Sequence, residues 1–221
     1  MNKLGACLLF ILLPFAVSAQ VNDAGLWTSL SVQKKLADKL YLDLGGELRL
    51  NENFSELGTV YSEALVSYRI SKSFEASGGY RFIAKRLVDD SYGIRHRYLI
   101  NLAYKTKINK VMSTIRARYQ SQYSDINRSA DWQVPEDYLR TKWTIKYDTD
   151  KDWRPFVSAE TFFLLDNMDG ILFKEYRIAA GFDYKLNKNT DLTLGYLIDR
   201  EIQTANPWTN YVVTVGLSWE L

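Results

Sequence analysis

The stretch that decides the fold is Leu40-Tyr41-Leu42-Asp43-Leu44-Gly45-Gly46-Glu47-Leu48-Arg49-Leu50. Leu40, Leu42, Leu44, Leu48 and Leu50 fall on one face of an extended chain, with Gly46 between them. Tyr41, Asp43, Gly45, Glu47 and Arg49 fall on the other. Successive side chains of a strand point to opposite sides, so this segment has one apolar and one polar face.

The same period of two recurs to the C-terminus. Val60, Ala64, Val66, Tyr68 and Ile70 oppose Thr59, Glu63, Ser67 and Arg69, and Tyr98, Ile100, Leu102 and Tyr104 oppose Arg95, Arg97, Asn101 and Lys105. Eleven such segments can be counted. The first, Leu26 to Lys35, and the eighth, Trp153 to Leu164, are the weakest, because Phe156 and Phe162 of the latter join the polar face. Nearly every Lys, Arg, Asp and Glu in the segments lies on the polar face. The exceptions Lys34, Arg86, Lys174 and Arg200 sit at segment ends. Alternation alone also suits a soluble sheet. Charge-free apolar centres repeated eleven times suit strands whose outer face meets lipid, where a mid-depth Lys or Arg costs about 2–4 kcal/mol.

Connections alternate between short turns, near Ala37-Asp38, Ser71-Lys72, Lys107-Asn109, Thr149-Lys151 and Asn187-Asn189, and longer loops. Apolar-face aromatics gather near segment ends: Tyr68, Phe74, Tyr104, Tyr123, Tyr147, Tyr184 and Trp219. These features predict an all-β, antiparallel up-and-down transmembrane barrel of ten to twelve strands, of outer-membrane type, with aromatic girdles at both interfaces. The odd count conflicts with the even number usual in bacterial single-chain barrels. Either the first segment lies partly outside the wall, leaving ten, or a twelfth is hidden.

At the N-terminus, Lys3 precedes an apolar run from Leu4 to Val17, and Val17-Ser18-Ala19 offers small residues for cleavage before Gln20. This reads as a signal peptide over residues 1–19, leaving one barrel domain over 20–221. Cys7, the one cysteine of 221 residues, falls inside that run, which leaves the mature chain without a thiol for disulfide, metal or nucleophile. The 28 basic and 26 acidic residues balance to a net charge of +2, which gives no reason to invoke nucleic acid. Charged residues at 24% and a mean hydropathy of −0.24 exclude a helical membrane protein.

In a barrel the polar face lines the lumen. Its charges include Glu47, Arg49, Glu63, Arg81, Arg95, Arg97, Arg116, Arg118, Arg140, Lys142, Glu160 and Arg177. Side chains fill much of a barrel this narrow, and buried charges must pair. An ion-paired plug that holds the wall in shape is therefore the first expectation. A narrow conduit for small polar or anionic solutes, along a basic ladder of Arg95/Arg97, Arg116/Arg118 and Arg140/Lys142, is the second.

A lipid-modifying enzyme is an alternative, built on His96, the one histidine. That residue falls on the apolar face, with no serine two residues away. A carboxylate pair such as Glu47 with Glu160 would be held ionised by the arginines around it, which argues against proton transfer. A second alternative is a soluble secreted lipid-binding barrel with its apolar face inward. No phosphate loop, dinucleotide fingerprint or metal constellation implies a cofactor. Asp125, Asp131, Glu136 and Asp137 could be imagined as a calcium loop, although a solvated acidic loop explains them better.

Several of these motifs carry a resemblance. Trp27, Glu47-Leu48-Arg49, Gly79-Tyr80-Arg81, Arg95-His96-Arg97 and Arg116-Ala117-Arg118-Tyr119 are followed by Tyr138-Leu139-Arg140-Thr141-Lys142, Ser158-Ala159-Glu160-Thr161-Phe162-Phe163 and Glu175-Tyr176-Arg177. In this order they resemble the bacterial family called domain of unknown function 2490, over nearly all of the mature chain. The resemblance implies an outer-membrane barrel, with outer-membrane lipid and the barrel-insertion machinery as partners, and brings no activity or catalytic residues. The chain departs from the usual barrel ending, an aromatic residue, by closing on Leu221 with Trp219 two residues before it.

Overall fold

The computed structural model describes residues 21–124, 135–166, 170–204 and 206–221. Eleven strands run in chain order as β1 (Val21–Ala37), β2 (Leu40–Asn51), β3 (Glu56–Arg69), β4 (Phe74–Arg86), β5 (Tyr92–Ile108), β6 (Val111–Ser124), β7 (Glu136–Tyr147), β8 (Trp153–Leu164), β9 (Leu172–Asn187), β10 (Thr190–Glu201) and β11 (Trp208–Glu220). Each pairs with its sequence neighbours, and β1 pairs with β11 to close the barrel.

Eleven is therefore the strand count, and both proposed remedies for the odd number fail. The first segment is longer than its periodicity suggested and stands in the wall. Its thirteen register pairs with β11 run from Val21↔Trp208 to Gln33↔Glu220. In an up-and-down barrel consecutive strands alternate direction, so the first and last of an odd set point the same way. The seam they form must be parallel, and it is. The expectation of a wholly antiparallel wall is corrected at this one interface; the other ten are antiparallel.

The connections divide by end. Those after β1, β3, β5, β7 and β9 span two to five residues, and those after β2, β4, β6, β8 and β10 span four to eleven. Two of the three two-residue turns use left-handed backbone, at Lys39 (φ 61°) and Asn109 (φ 54°), as tight hairpins favour.

The stagger of the wall follows from the registers. From Trp27 the ladder leads through Arg49, Thr59 and Lys85 to Gly93 of β5. In the other direction it leads through Thr214, Gly195, Gly181, Phe156, Lys146 and Met112 to Lys107 of the same strand. Gly93 and Lys107 lie fourteen residues apart, so the strands must tilt strongly for the sheet to close. Residues at one height are thus not hydrogen-bonded partners, and side chains scattered along the sequence can meet at one level.

The apolar face points outward. Ile100, Leu102 and Leu30 are 60%, 59% and 58% exposed, and Leu44, Val66, Ile115, Val157 and Ile178 are likewise exposed around the wall. This is opposite to what the lipid-binding barrel with an inward apolar face requires. Six of the seven aromatics expected to form two girdles, Tyr68, Phe74, Tyr104, Tyr147, Tyr184 and Trp219, lie toward the short-turn end. Tyr123 is at the other end, where a second cluster joins it: Tyr80, Phe82, His96 and Tyr98 make ring contacts with centroids 5.4–6.2 Å apart.

Candidate functional site

The interior is polar and, at mid-height, filled. Among its buried side chains are Arg81, Arg118, Arg140, Glu160, Asp199, Asn101 and Gln120, together with Trp27, Ile83, Leu99, Phe162 and Val212. The tilt brings these to one level, and contacts between distant strands show it. The Arg116 guanidinium of β6 reaches over β7 to Glu160 Oε1 of β8 at 2.8 Å. Arg118 of β6 comes within 4.0 Å of Glu63 on β3.

Two groups of charges make up this waist. On one side, Arg49 Nε donates to Glu47 at 2.5 Å while its guanidinium lies 3.7 Å from the centroid of the Trp27 ring. Beside it Arg81 Nε donates to Glu63 at 2.7 Å and stacks on Tyr61 at 3.8 Å. On the other side, Glu160 accepts from both Arg116 (2.8 Å) and Arg140 (2.9 Å), and Arg140 also donates to Gln120. Arg177 pairs with Glu175 at 2.7 Å and Asp199 at 3.0 Å.

Aromatic rings join the two groups. Phe162 lies under both Arg140 (4.2 Å) and Arg177 (4.6 Å), and Arg177 reaches the Trp27 ring at 5.1 Å. A guanidinium over an aromatic face gains roughly 0.5–2 kcal/mol, more where water is excluded. This accounts for the two phenylalanines that break the pattern of β8: Phe162 is a platform for cations. Phe156 fills the space left by Gly181 and Gly195, which oppose each other in register. A Cβ built on Gly181 would come within 2.2 Å of the Leu194 carbonyl oxygen and 3.0 Å of the Phe156 ring.

Of the twelve lumen residues read from the sequence, eight join this arrangement through ion pairs of 2.9 Å or closer: Glu47, Arg49, Glu63, Arg81, Arg116, Arg140, Glu160 and Arg177. Arg118 is held mainly by Asn101, which accepts from its Nε at 2.5 Å. Arg95, Arg97 and Lys142 have no carboxylate within 4.0 Å among the described residues; Arg97 donates instead to the neutral Gln122. The imagined pair of Glu47 and Glu160 is divided between the two groups. Phe162, Asn101 and Asp199 fall on the polar face of the sequence pattern and Trp27 among the family motifs, but the charge network read from the sequence includes none of these, nor Tyr61. Their inward position was legible from parity, but their partners depend on tilt.

Two cavities flank the waist. The larger, about 920 Å³, extends toward the long-loop end. Its lining includes Trp27, Arg49, Arg81, Lys85, Arg95 and Arg97. The smaller, about 170 Å³, lies along the seam of β1 and β11 between Ser29, Ser31, Glu47, Thr193, Thr214 and Gly216. Trp27 lines both.

Toward the turns the lumen continues as ion pairs, with Lys146 on Asp183 at 2.5 Å and Arg154 on Asp191 at 2.6 Å. His96 is on the outer face, where its Nδ1 shares a hydrogen bond of 2.6 Å with the Tyr80 hydroxyl. Asp125 and Asp131 lie outside the described residues. Asp137 accepts from the Tyr119 hydroxyl, and Glu136 from Gln122.

A family model described as "Protein of unknown function (DUF2490)" matches residues 24–210. The chain belongs to this DUF2490 family. The match runs from Ala24 of β1 to Asn210, three residues into β11, so it spans β2 to β10 whole and ends before most of the seam strand β11. No curated protein matches the chain.

Proposed function

We propose that this DUF2490 protein is exported by its N-terminal signal and inserted by the barrel-assembly machinery into a Gram-negative outer membrane. There it stands as a barrel closed at the waist, with its longer loops outside. The observation that carries this reading is the outward belt of exposed, uncharged side chains around a charged interior. Water would leave that belt as an apolar surface far larger than the few hundred Å² a soluble monomer tolerates. Lipid removes the penalty, and the closed sheet leaves no unpaired backbone edge in the hydrocarbon.

Between the two lumen readings, the plug is favoured over the conduit. Trp27, Phe162 and the paired arginines occupy the level that a solute would have to cross. The role that follows is structural, with a polar vestibule on the long-loop side that is suited to binding small solutes.

Membrane fractionation of cells expressing the full chain tests this reading. The protein is expected in the outer-membrane fraction and, unheated in mild detergent, to migrate as a compact species that slows on boiling. Recovery as a soluble periplasmic protein would overturn it.

A further inference from the structure

Seven cations and six carboxylates line the vestibule, and the ion pairs are spread unevenly among them, leaving three cations without a carboxylate partner among the described residues. Asp23 is taken up by the backbone N–H groups of Glu52 and Asn53, at 3.0 and 2.9 Å. Glu52 pairs with Arg86, Glu201 with Lys174, and Glu175 and Asp199 with Arg177. Glu136 receives a bond of 3.4 Å from Gln122. Among the cations, Arg49, Arg81 and Arg140 have Glu47, Glu63 and Glu160. Lys85, Arg95 and Arg97 remain, lining the cavity with no carboxylate within 4.0 Å among the described residues.

These three form one patch. Arg95 and Arg97 are two apart on β5 and so share its inner face. Across the ladder Arg95 opposes Ile83 and Arg97 opposes Arg81, with Lys85 two residues beyond Ile83 on β4. Like charges on neighbouring positions repel, and concentrating unpaired cations inside a narrow barrel is costly unless an anion joins them.

We infer that Lys85, Arg95 and Arg97 form a binding site for a tetrahedral oxyanion, taken either as the free ion or as the phosphate group of a small solute. The chemistry fits that class. Two guanidinium forks present planar N–H pairs to oxyanion oxygens, and the lysine adds a mobile point charge. The cavity, about 920 Å³, is much larger than one phosphate and leaves room for an attached sugar-sized group. Tyr138 and Trp208 line the same space and offer aromatic faces to such a group. The inference rests on the lumen geometry and not on the membrane location, so the fractionation result leaves it standing or falling on its own.

The test is calorimetric titration of the full-length barrel, folded in detergent, with inorganic phosphate and separately with glucose 6-phosphate. Folding is checked for each variant by heat-modifiable migration. Saturable one-to-one binding that weakens with added salt is expected. Substituting Lys85→Gln and Arg95→Gln together should weaken it about tenfold or more, as loss of two charge-assisted contacts implies. Arg154→Gln, which alters a paired arginine near the turns, should leave it unchanged. Without ligand, Arg95→Gln should fold at least as well as the parent, because it relieves repulsion.

Tighter binding of glucose 6-phosphate would identify a phosphorylated solute as the ligand; equal affinities would identify the free ion. If the folded parent shows no saturable heat with either probe up to about 10 mM, the site does not exist at meaningful affinity. Binding that survives both substitutions intact would overturn the inference as well.

Discussion

At the scale of the residue, Glu160 is the carboxylate on which most depends. It is buried, and it alone accepts from both Arg116 and Arg140. Replacing it with Gln keeps the shape and leaves two interior guanidiniums without their counter-charge. Breaking a buried pair from one side costs about 3–5 kcal/mol, so Glu160→Gln should lower the unfolding free energy of the refolded barrel by an amount in that range, read as a lower denaturant midpoint. A midpoint equal to the parent's would mean that the waist is not an ionic network. The turn-end charges behave differently. The Lys107 bond holds the Asp148 carboxyl below its ordinary value of 3.8, and the Asp150 bond holds the Lys110 ammonium above 10.5. For Asp148 the folded value is depressed, so its contribution is present above about pH 4 and disappears as pH falls below that. For Lys110 the folded value is raised, so its contribution is present below 10.5 and disappears as pH rises past it. Lys110 is exposed and Asp148 partly so, and solvent screening leaves such pairs little weight. Neutralising Lys110 to Gln should therefore leave the thermal midpoint unchanged at pH 7, and a clear drop would contradict that assignment.

At the scale of the element, the parallel seam of β1 and β11 is the feature most open to test. Ser31 and Ser218 are register partners across it. With Cys7 replaced by Ser, a Ser31→Cys, Ser218→Cys chain should form an internal disulfide on mild oxidation. Directly paired strand residues lie within the Cα separation that a disulfide spans. Gel mobility before and after reduction measures it; absence of the crosslink would put β1 outside the wall. A second substitution tests the packing of β9: Gly181→Ala, whose added methyl meets the Leu194 carbonyl and the Phe156 ring, should destabilise by about 1–3 kcal/mol. These two elements also mark where the sequence could be read and where it could not. The eleven apolar-polar segments, the direction of each face and the division of connections follow from a period of two, because that signal is local to each strand; the count of strands in the wall does not, and the sequence leaves it at ten to twelve. The seam was not legible. Nothing within Leu26 to Lys35 records that its partner lies almost two hundred residues away, and the familiar even count pointed elsewhere. The site was half legible for a related reason. Parity placed Arg49, Arg140 and Glu160 inward, but the pairing of Arg116 with Glu160, or of Arg177 with Trp27, depends on the fourteen-residue stagger that only closure produces.

At the scale of the whole molecule, the question is whether the lumen is a path. The two cavities lie on either side of Trp27, which lines both, and Arg49 and Arg177 hold its ring. Trp27 is therefore the side chain that divides the two cavities, at a level it shares with Phe162 and the paired arginines. The parent barrel in a planar bilayer should show no steady conductance. Trp27→Ala removes the ring that separates the cavities of about 920 and 170 Å³ and should join them, giving small, stable current steps. Lys85, Arg95 and Arg97 above the waist should make that current favour anions, as a basic constriction does. Removing a buried Trp also costs about 3–5 kcal/mol of packing, so heat-modifiable migration must first show that the variant is folded. Trp27→Phe, which keeps an aromatic platform for Arg49, should stay closed and separates loss of the ring from loss of stability. Steady conductance through the unmodified barrel would restore the conduit reading. A folded, silent Trp27→Ala would show that the paired arginines alone seal the waist.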